Sequence, residues 1–504
     1  MEIDLRLFEL IKLSCVKATR LPSVTAERSL SNPEILGITS NSREVKPGYL
    51  FAALPGLNFD GRQFINEALA RGAVAVLMGL AREAVQETDC AEFICVENPR
   101  RQFALIAAEF YKEQPNYIAA VTGTNGKTSV VEFARQLWTM EGKACASLGT
   151  LGISGENIDL ESSLTSPDIV SLHSNLRLLS RKGITNLAIE ASSHGLDQNR
   201  LDGLVINSAA FTNLTLDHLD YHLNLNSYFL AKARLFLELL HKNGVAVLNA
   251  DSPYFQRLEN ICIDRQISIF SYGYSMDANI RIVRLSPMTK GQQVELEING
   301  QRFDLFLPLM GEFQLFNALA ALGLVSNGRL ASVESHLNNF QYLCGVRGRL
   351  EYIGSHKSGA PILVDYAHTP DALENILSSL RPHVKGRLVC VFGAGGDRDK
   401  EKRPLMGMVV EKFADTIIVT DDNPRSENPT EIREAILMGC PSGQNVGERS
   451  EAINVALSTL KERDLLVIAG KGHETSQEVD NKIIEFDDAA FVKAQLNKVN
   501  QAVQ

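Results

Sequence analysis

YIAAVTGTNGKTS, residues 117–129, is an apolar run that breaks into glycine, threonine and asparagine and closes on Gly126-Lys127-Thr128. Ile118 to Val121 suit a buried strand, and Val130, Val131, Ala134, Leu137 and Trp138 recur at helical spacing as far as Gly142. The glycine loop is therefore expected where a strand meets a helix N-terminus, so that backbone amides and the helix dipole converge on one anion. Lys127 can reach terminal phosphate oxygens, and Thr128 can offer a hydroxyl to Mg²⁺. The familiar phosphate loop, G-x-x-x-x-G-K-[ST], is longer: here only Thr124-Asn125 separate Gly123 from Gly126. The residues point to a shortened phosphate cradle, the plain alternative being an ordinary glycine-rich turn beside a solvated lysine.

At 504 residues the chain predicts roughly three domains of about 150 residues each. A composition 45% hydrophobic and 22% charged belongs to a globular protein with an ample core. The formal net charge of -10 argues against a nucleic-acid surface, so an anionic ligand must be held locally. Cysteines at 15, 90, 95, 145, 262, 344, 390 and 440 include no C-x-x-C pair and read as reduced packing residues. No stretch approaches about 20 uninterrupted apolar residues, and the start MEIDLRLFEL lacks a signal core. The expectation is a cytoplasmic protein without membrane insertion.

Working outward from the loop, YLFAAL (49–54) and AVAVLM (73–78) read as strands, with a helix near 62–71 and another starting at Pro99. The polar stretch 113–116 suggests a boundary. α/β units continue through LAIEASSHG, SAAFTNL and GVAVLNAD, and then VELEINGQRFDLFL carries Asn299-Gly300 between alternating runs, a hairpin signal. Beyond Gly348, ILVDYAHTP, RLVCVFGAGGDRD, TIIVTDDNPR and DLLVIAGKGHE are each an apolar run followed by a polar loop. Ligands of open parallel sheets gather at the carboxyl ends of strands, so these loops form a candidate substrate face. GAGGDRD is no dinucleotide fingerprint, because Arg398 stands where G-x-G-x-x-G needs its third glycine.

Two further groups carry chemistry. Glu190 ends a strand-like run, and His218 lies in NLTLDHLDYH beside Asp217, Asp220 and His222; a carboxylate, an imidazole and the Thr128 hydroxyl can share Mg²⁺. Turn capping by these residues is the simpler alternative. Lys232, in SYFLAKARLFLELL, shares a helix face with Tyr228, Phe229, Leu235 and Phe236. A lysine there normally snorkels to water. Buried, it loses its charge, and a neutral amine can take up carbon dioxide as a carbamate, an oxygen ligand for metal.

VTGTNGKTS, IEASSHGLDQNR, FTNLTLDHLDYH, YFLAKARLF, FNALAA, GVRGRLE, VDYAHTPDAL, GAGGDRDKEKRP, TDDNPR and AGKGHE together resemble the Mur ligases of bacterial cell-wall synthesis, in the family's order over nearly the whole chain. The nearest resemblance is to members that add the third amino acid of the muropeptide. It implies an α/β fold of three domains: 1–113, binding the UDP-muramoyl substrate; 114–345, a central P-loop-like ATPase domain with a mostly parallel sheet and a β appendage; and 346–504, a Rossmann-like domain that closes on ATP and binds the amino acid. It implies a monomer that uses ATP and Mg²⁺ to join meso-2,6-diaminopimelate to the D-glutamate side chain of UDP-N-acetylmuramoyl-L-alanyl-D-glutamate through an acyl phosphate. By the same resemblance Gly123 to Thr128 hold phosphates, Thr128 and Glu190 hold magnesium, and His218 with Lys232 as N6-carboxylysine serve a second ion. Asn317 meets adenine, Asp365 ribose and Arg349 phosphate. Ser42 and Asn58 match the uridine end, while Thr165, Ser166, Ser192, Gln198 and Arg200 match positions facing sugar, diphosphate or dipeptide.

The acceptor turns on TDDNPR. Lysine and diaminopimelate share an attacking end and a distal amine, but only diaminopimelate has a distal carboxylate, for which Arg425 supplies a planar cation. Asn423 can add an amide hydrogen bond and Pro424 can fix the turn; a turn with a surface arginine is the alternative. The resemblance adds Arg398, Asp422, Gly470 and Glu474. The competing readings are a lysine-adding ligase, a folylpolyglutamate synthetase, or a nucleotide-binding switch or scaffold that forms no amide.

Overall fold

The structure, a computed structural model, describes residues 6–14, 32–56, 60–80, 91–160, 164–215, 217, 219–480 and 482–501. The chain falls into two compact units: Met1–Lys127, Trp138–Leu248 and Ser252–Phe270 in one, and Thr128–Leu137, Asn249–Asp251 and Ser271–Gln504 in the other. Three α/β sheet systems follow one another along the chain.

The first unit opens with four parallel strands in sequence order, β1 (Gly37–Thr39), β2 (Tyr49–Ala53), β3 (Ala73–Gly79) and β4 (Glu92–Val96). Alternate residues of β2 face opposite layers: Leu50 and Ala52 join Phe103, Ala104 and Ala107 of helix Pro99–Tyr111, and Phe51 and Ala53 join Ile65 and Ala68. Helix Pro99–Tyr111 starts where expected, capped by Asn98 with Pro99 in its first turn. The helix expected near 62–71 opens instead as a 3₁₀ turn, Gly61–Phe64, and is α-helical only over Ile65–Ala70.

The same unit then adds β5 (Tyr117–Thr122), β6 (Cys145–Gly149), β7 (Gly152–Gly155), β8 (Ile158–Leu160), β9 (Asn186–Glu190), β10 (Ile206–Phe211) and β11 (Leu240–Asn249), in the order β11-β10-β5-β9-β6-β7-β8. The first five are parallel, while β7 and β8 fold back as antiparallel additions. β5 and β9 are central and buried on both faces, which is why they read as continuous apolar runs. Between β5 and helix Lys127–Met140 lies the glycine loop, as the sequence predicts.

β12 (Ser268–Gly273) leads into an antiparallel meander of β13 (Ile280–Met288), β14 (Gly291–Ile298) and β15 (Gln301–Leu307). Asn299 and Gly300 form its two-residue turn, both with positive φ, 50° and 75°, as an Asn-Gly hairpin requires. The second unit ends in β16 (Glu351–Ser355), β17 (Pro361–Asp365), β18 (Leu388–Phe392), β19 (Thr416–Val419), β20 (Gln444–Asn445) and β21 (Leu465–Ala469), ordered β16-β17-β21-β18-β19-β20, with only β16 antiparallel to its neighbour. Both faces are covered: Leu363, Cys390 and Val467 belong to one apolar layer and Ile362, Val391 and Ile468 to the other. The polar loops after β17, β21, β18 and β19 thus emerge side by side at one sheet edge. A short hairpin, β22 (Ser476–Val479) with β23 (Lys482–Glu485), follows.

Candidate active site

In the glycine loop Gly123 and Gly126 have φ of 143° and 87°, conformations that favour glycine. Gly123 has a second constraint, since a Cβ there would lie 1.9 Å from Thr212 Oγ1. The strap after β10 fixes the loop: Thr124 N donates to Asn213 O (2.9 Å), Asn125 N to Asn213 Oδ1 (2.9 Å), and Thr212 Oγ1 to Asn125 O (2.6 Å). Lys127 Nζ folds back on the carbonyls of Gly123 and Thr124, at 2.9 and 2.8 Å.

Lys232 reaches the same point. Its side chain does not snorkel: the residue is 1% exposed, and Nζ donates to Gly123 O at 2.7 Å, 4.5 Å from the centre of the Tyr228 ring. Burial, reinforced by the positive charge of Lys127 and opposed by Asp217, holds its pKa well below that of an ordinary lysine. The helical spacing is exact only on its N-terminal side, because helix Leu225–Arg234 passes into a π-helical turn at Leu235–Leu239. Tyr228, seen in the sequence only as an apolar neighbour, also meets Thr124 Oγ1 at 3.3 Å.

Glu190, the last residue of β9, is buried, and its carboxylate accepts from Thr150 N (2.8 Å) and Thr150 Oγ1 (3.3 Å). No cation among the described residues pairs with it. A buried carboxylate in that state fits a bound divalent ion, which would repay its desolvation. His218 and Asn58 lie outside the described residues, and among those described no three His, Cys, Asp or Glu side chains cluster as a metal site.

Five of the muropeptide candidates come together in the first unit. Ser166 Oγ meets Glu190 O and Ser192 Oγ, both at 3.0 Å, and Ser192 caps helix Ser193–Asp197 through Gly195 N. Arg200 donates to Ser166 O (2.7 Å) and to Gln198 Oε1 (2.7 Å from Nη2), and Thr165 joins through Thr150 Oγ1 at 3.1 Å. Burial, followed by the charge of Arg100, lowers the Arg200 pKa, against the opposing charge of Asp168. Ser42 belongs to a different cluster, donating to Glu67 Oε2 at 2.8 Å.

In the second unit, Asn317 Nδ2 donates to Gln314 Oε1 (3.2 Å) and Gln314 Nε2 to Arg349 O (3.3 Å). The Arg349 guanidinium lies 4.6 Å from the Tyr366 ring centre. Asp365, at the end of β17, accepts from the amides of Leu350 and Ala367, both at 2.7 Å, while burial raises its pKa. Asn317, Arg349 and Asp365 thus form one neighbourhood.

The acceptor candidates form another. Asn423 Nδ2 donates to Glu474 Oε2 (2.9 Å) and Asp422 Oδ1 (3.2 Å), while the buried Asp422 Oδ2 has no hydrogen-bond partner among the described residues and would crowd any Cβ at Gly470, 2.4 Å away. Arg425, with φ 52°, donates from Nη1 to Gly396 O (2.8 Å). Pro424 O would meet a Cβ at Gly396 at 1.9 Å, so the two loops interlock. Arg398 points its Nη1 to Asp397 O at 3.4 Å and makes no hydrogen bond with the other acceptor candidates among the described residues. Sequence reasoning missed Lys471, wholly buried and 3.2 Å from Glu474 Oε2, although it stood in the quoted AGKGHE. It also missed the neighbour of Arg425, Glu478, whose Oε2 lies 3.3 Å from Arg425 Nε and for which the sequence carries no local signal.

Residues 121–325 match the Mur ligase middle domain, 348–472 the Mur ligase, glutamate ligase domain, and 34–111 the Mur ligase family, catalytic domain. The UDP-N-acetylmuramoyl-L-alanyl-D-glutamate--2,6-diaminopimelate ligase of Bradyrhizobium diazoefficiens is 45% identical over 473 residues, covering 93% of this chain and 96% of that protein. The ligase of the same name from Caulobacter vibrioides is 45% identical over 466 residues, 91% and 95% of the two chains. A solved structure of a ligase of that name shares 32% identity with a TM-score of 0.71, covering 94% of this chain and 97% of that one. A folylpolyglutamate synthase from Mycobacterium tuberculosis complexed with ADP and AMPPCP, 20% identical with a TM-score of 0.58 and covering 74% of this chain and 92% of that one, shares the fold.

Proposed function

The chain belongs to the Mur ligase family, and from that premise we propose that it is an ATP-dependent ligase joining meso-2,6-diaminopimelate to the D-glutamate side-chain carboxylate of UDP-N-acetylmuramoyl-L-alanyl-D-glutamate. The observation that carries the reading is the pair of lysines on the phosphate loop: Lys127 and Lys232 both donate to Gly123 O, the second from a buried position. One cation, Lys127, and one buried amine that can become a metal-binding carbamate, both directed at one short loop, suit a transferring phosphoryl group, where protein catalysis is mainly positioning and charge stabilisation.

The substrate carboxylate attacks the terminal phosphorus of ATP, ADP leaves, and an acyl phosphate remains. The neutral acceptor amine then attacks the acyl carbon, and the tetrahedral intermediate gives up one nitrogen proton to solvent and expels phosphate, leaving the amide with its remaining N–H. Lys127 and the loop amides offset the repulsion between the two anions in the first step. Glu190 and Thr128, with His218 and a carbamylated Lys232, would hold magnesium, which when bound supplies further positive charge to the phosphoryl oxygens. The lowered pKa of Lys232 favours the neutral amine that carbamate formation requires. Asn317, Asp365 and Arg349 serve adenine, ribose and phosphate; Ser42 and Asn58 serve uridine; Thr165, Ser166, Ser192, Gln198 and Arg200 orient the muropeptide. Arg398, Asp422, Asn423, Pro424, Arg425, Gly470 and Glu474 receive diaminopimelate, with Arg425 on its distal carboxylate. The domains proposed for these tasks are 1–113, 114–345 and 346–504, in a monomeric cytoplasmic enzyme; no helix among the described residues is long and apolar enough to cross a membrane.

Hydroxylamine trapping tests the acyl phosphate. With ATP, magnesium and the muropeptide nucleotide but no amino acid, the enzyme should yield a muropeptide hydroxamate; ADP formation without hydroxamate would exclude this route.

A further inference from the structure

β22 is fastened to the loop that carries Arg425. Arg425 N donates to Glu478 O (3.0 Å), Asp480 N to Arg425 O (2.8 Å), and Glu478 N to Asn423 Oδ1 (2.9 Å). These bonds hold Arg425 in its left-handed conformation and bring the Glu478 carboxylate to the guanidinium, Oε2 lying 3.3 Å from Nε. Both side chains remain partly exposed, 23% for Arg425 and 43% for Glu478, so this carboxylate can swing into water.

We infer that Glu478 is a resident counter-ion of the acceptor site, whose carboxylate opposes the distal carboxylate of diaminopimelate on Arg425 and so sets the acceptor KM. The inference rests on the assignment of Arg425 to that carboxylate. A guanidinium offers a carboxylate two double-pronged edges, Nε with Nη2 and Nη1 with Nη2. On the first, the substrate displaces Glu478. On the second, it lies beside Glu478 and meets a like charge, with one Nη1 hydrogen already committed to Gly396 O. Both routes give the same sign: Glu478 weakens diaminopimelate binding. Lysine, with no second carboxylate, leaves the Arg425–Glu478 pair in place.

The test is a steady-state double-mutant cycle on the full chain, with ATP and the muropeptide nucleotide saturating. Glu478→Gln keeps the main-chain bonds and removes the charge. It should lower the KM for diaminopimelate about 1.5- to 5-fold, the range a partly exposed ion pair supports, without lowering the KM for lysine; Glu478→Ala should act with the same sign. In an Arg425→Ala background the effect should vanish. If Arg425→Ala raises the diaminopimelate KM but Glu478→Gln leaves it unchanged or raises it, the counter-ion role is wrong and the Arg425 assignment stands. A gain that persists without Arg425 also overturns the role. If Arg425→Ala leaves the KM at its wild-type value, the Arg425 assignment itself fails, and this inference with it.

Discussion

Removing the Asp488 carboxylate should cost the second unit several kilocalories and damage acceptor use as well. Arg449 and Asp488 form a buried ion pair, 1% and 0% exposed, with Nε to Oδ1 and Nη2 to Oδ2 both at 2.7 Å. Each residue opens a helix, Arg449–Thr459 or Asp488–Gln501. The same guanidinium donates to Ala469 O (3.0 Å) and Asp421 O (3.3 Å), one residue before Gly470 and Asp422 of the acceptor candidates. Burial alone would lower the Arg449 pKa, but Asp488, aided by Asp422 and Glu474, holds it above the ordinary value. Asp488→Ala therefore strands a permanent charge in the core. Breaking such a pair from one side costs about 3–5 kcal/mol, which in a domain of this size lowers its melting transition by roughly 6–20 °C. Differential scanning calorimetry reads that shift, with Asp488→Asn as the isosteric control. Steady-state kinetics should show the KM for diaminopimelate rising more than the KM for ATP. A transition within about 2 °C of wild type would mean that water reaches the guanidinium and that Asp488 does not hold a buried charge.

Lys127→Ala should nearly abolish ligation while the circular dichroism spectrum is retained; near-normal turnover would remove the phosphate-loop assignment. Lys232→Ala should lose most activity and regain part of it with millimolar short-chain carboxylic acids, which place oxygens where a carbamate would stand; full activity without rescue argues against modification. Gly123→Ala should raise the KM for ATP, because backbone strain of about 1–3 kcal/mol adds to the Thr212 collision, and an unchanged KM would count against the loop geometry. His173 is buried, its Nε2 3.2 Å from Asp202 O, and burial depresses its pKa from 6.5 to about 4. The unfolded chain binds that proton first, so the stability of the first unit should be lost as pH falls from 6.5 towards 4, by up to about 3 kcal/mol. Urea titrations of His173→Gln should show a flatter profile across that window, and an unaltered slope would contradict the assignment.

The parts of this molecule legible in its sequence are those set by local chemistry. The strand, short glycine loop and helix at 117–140 follow from spacing alone, and Asn299-Gly300 forces its hairpin through positive φ. Lys232 shows the limit. Its apolar neighbours were readable, but snorkelling against burial was decided by Gly123 O, 109 residues away. The extent of its helix was equally hidden, because nothing local announces the π turn at Leu235. Arg425 could be chosen from DNPR and an acceptor with two carboxylates, whereas Glu478 is joined to it only through the pairing of β22 with that loop. Long-range strand pairing carries such partners together, and residue spacing does not encode it.

Formation of an amide with diaminopimelate at the expense of ATP can be measured directly. Purified protein with ATP, magnesium and UDP-N-acetylmuramoyl-L-alanyl-D-glutamate, offered equal diaminopimelate and lysine, should be followed by mass spectrometry of the nucleotide product together with phosphate release. One diaminopimelate amide should form per phosphate released, with far less lysine product. Phosphate release without an amide, or lysine incorporated as readily as diaminopimelate, would contradict the proposed function.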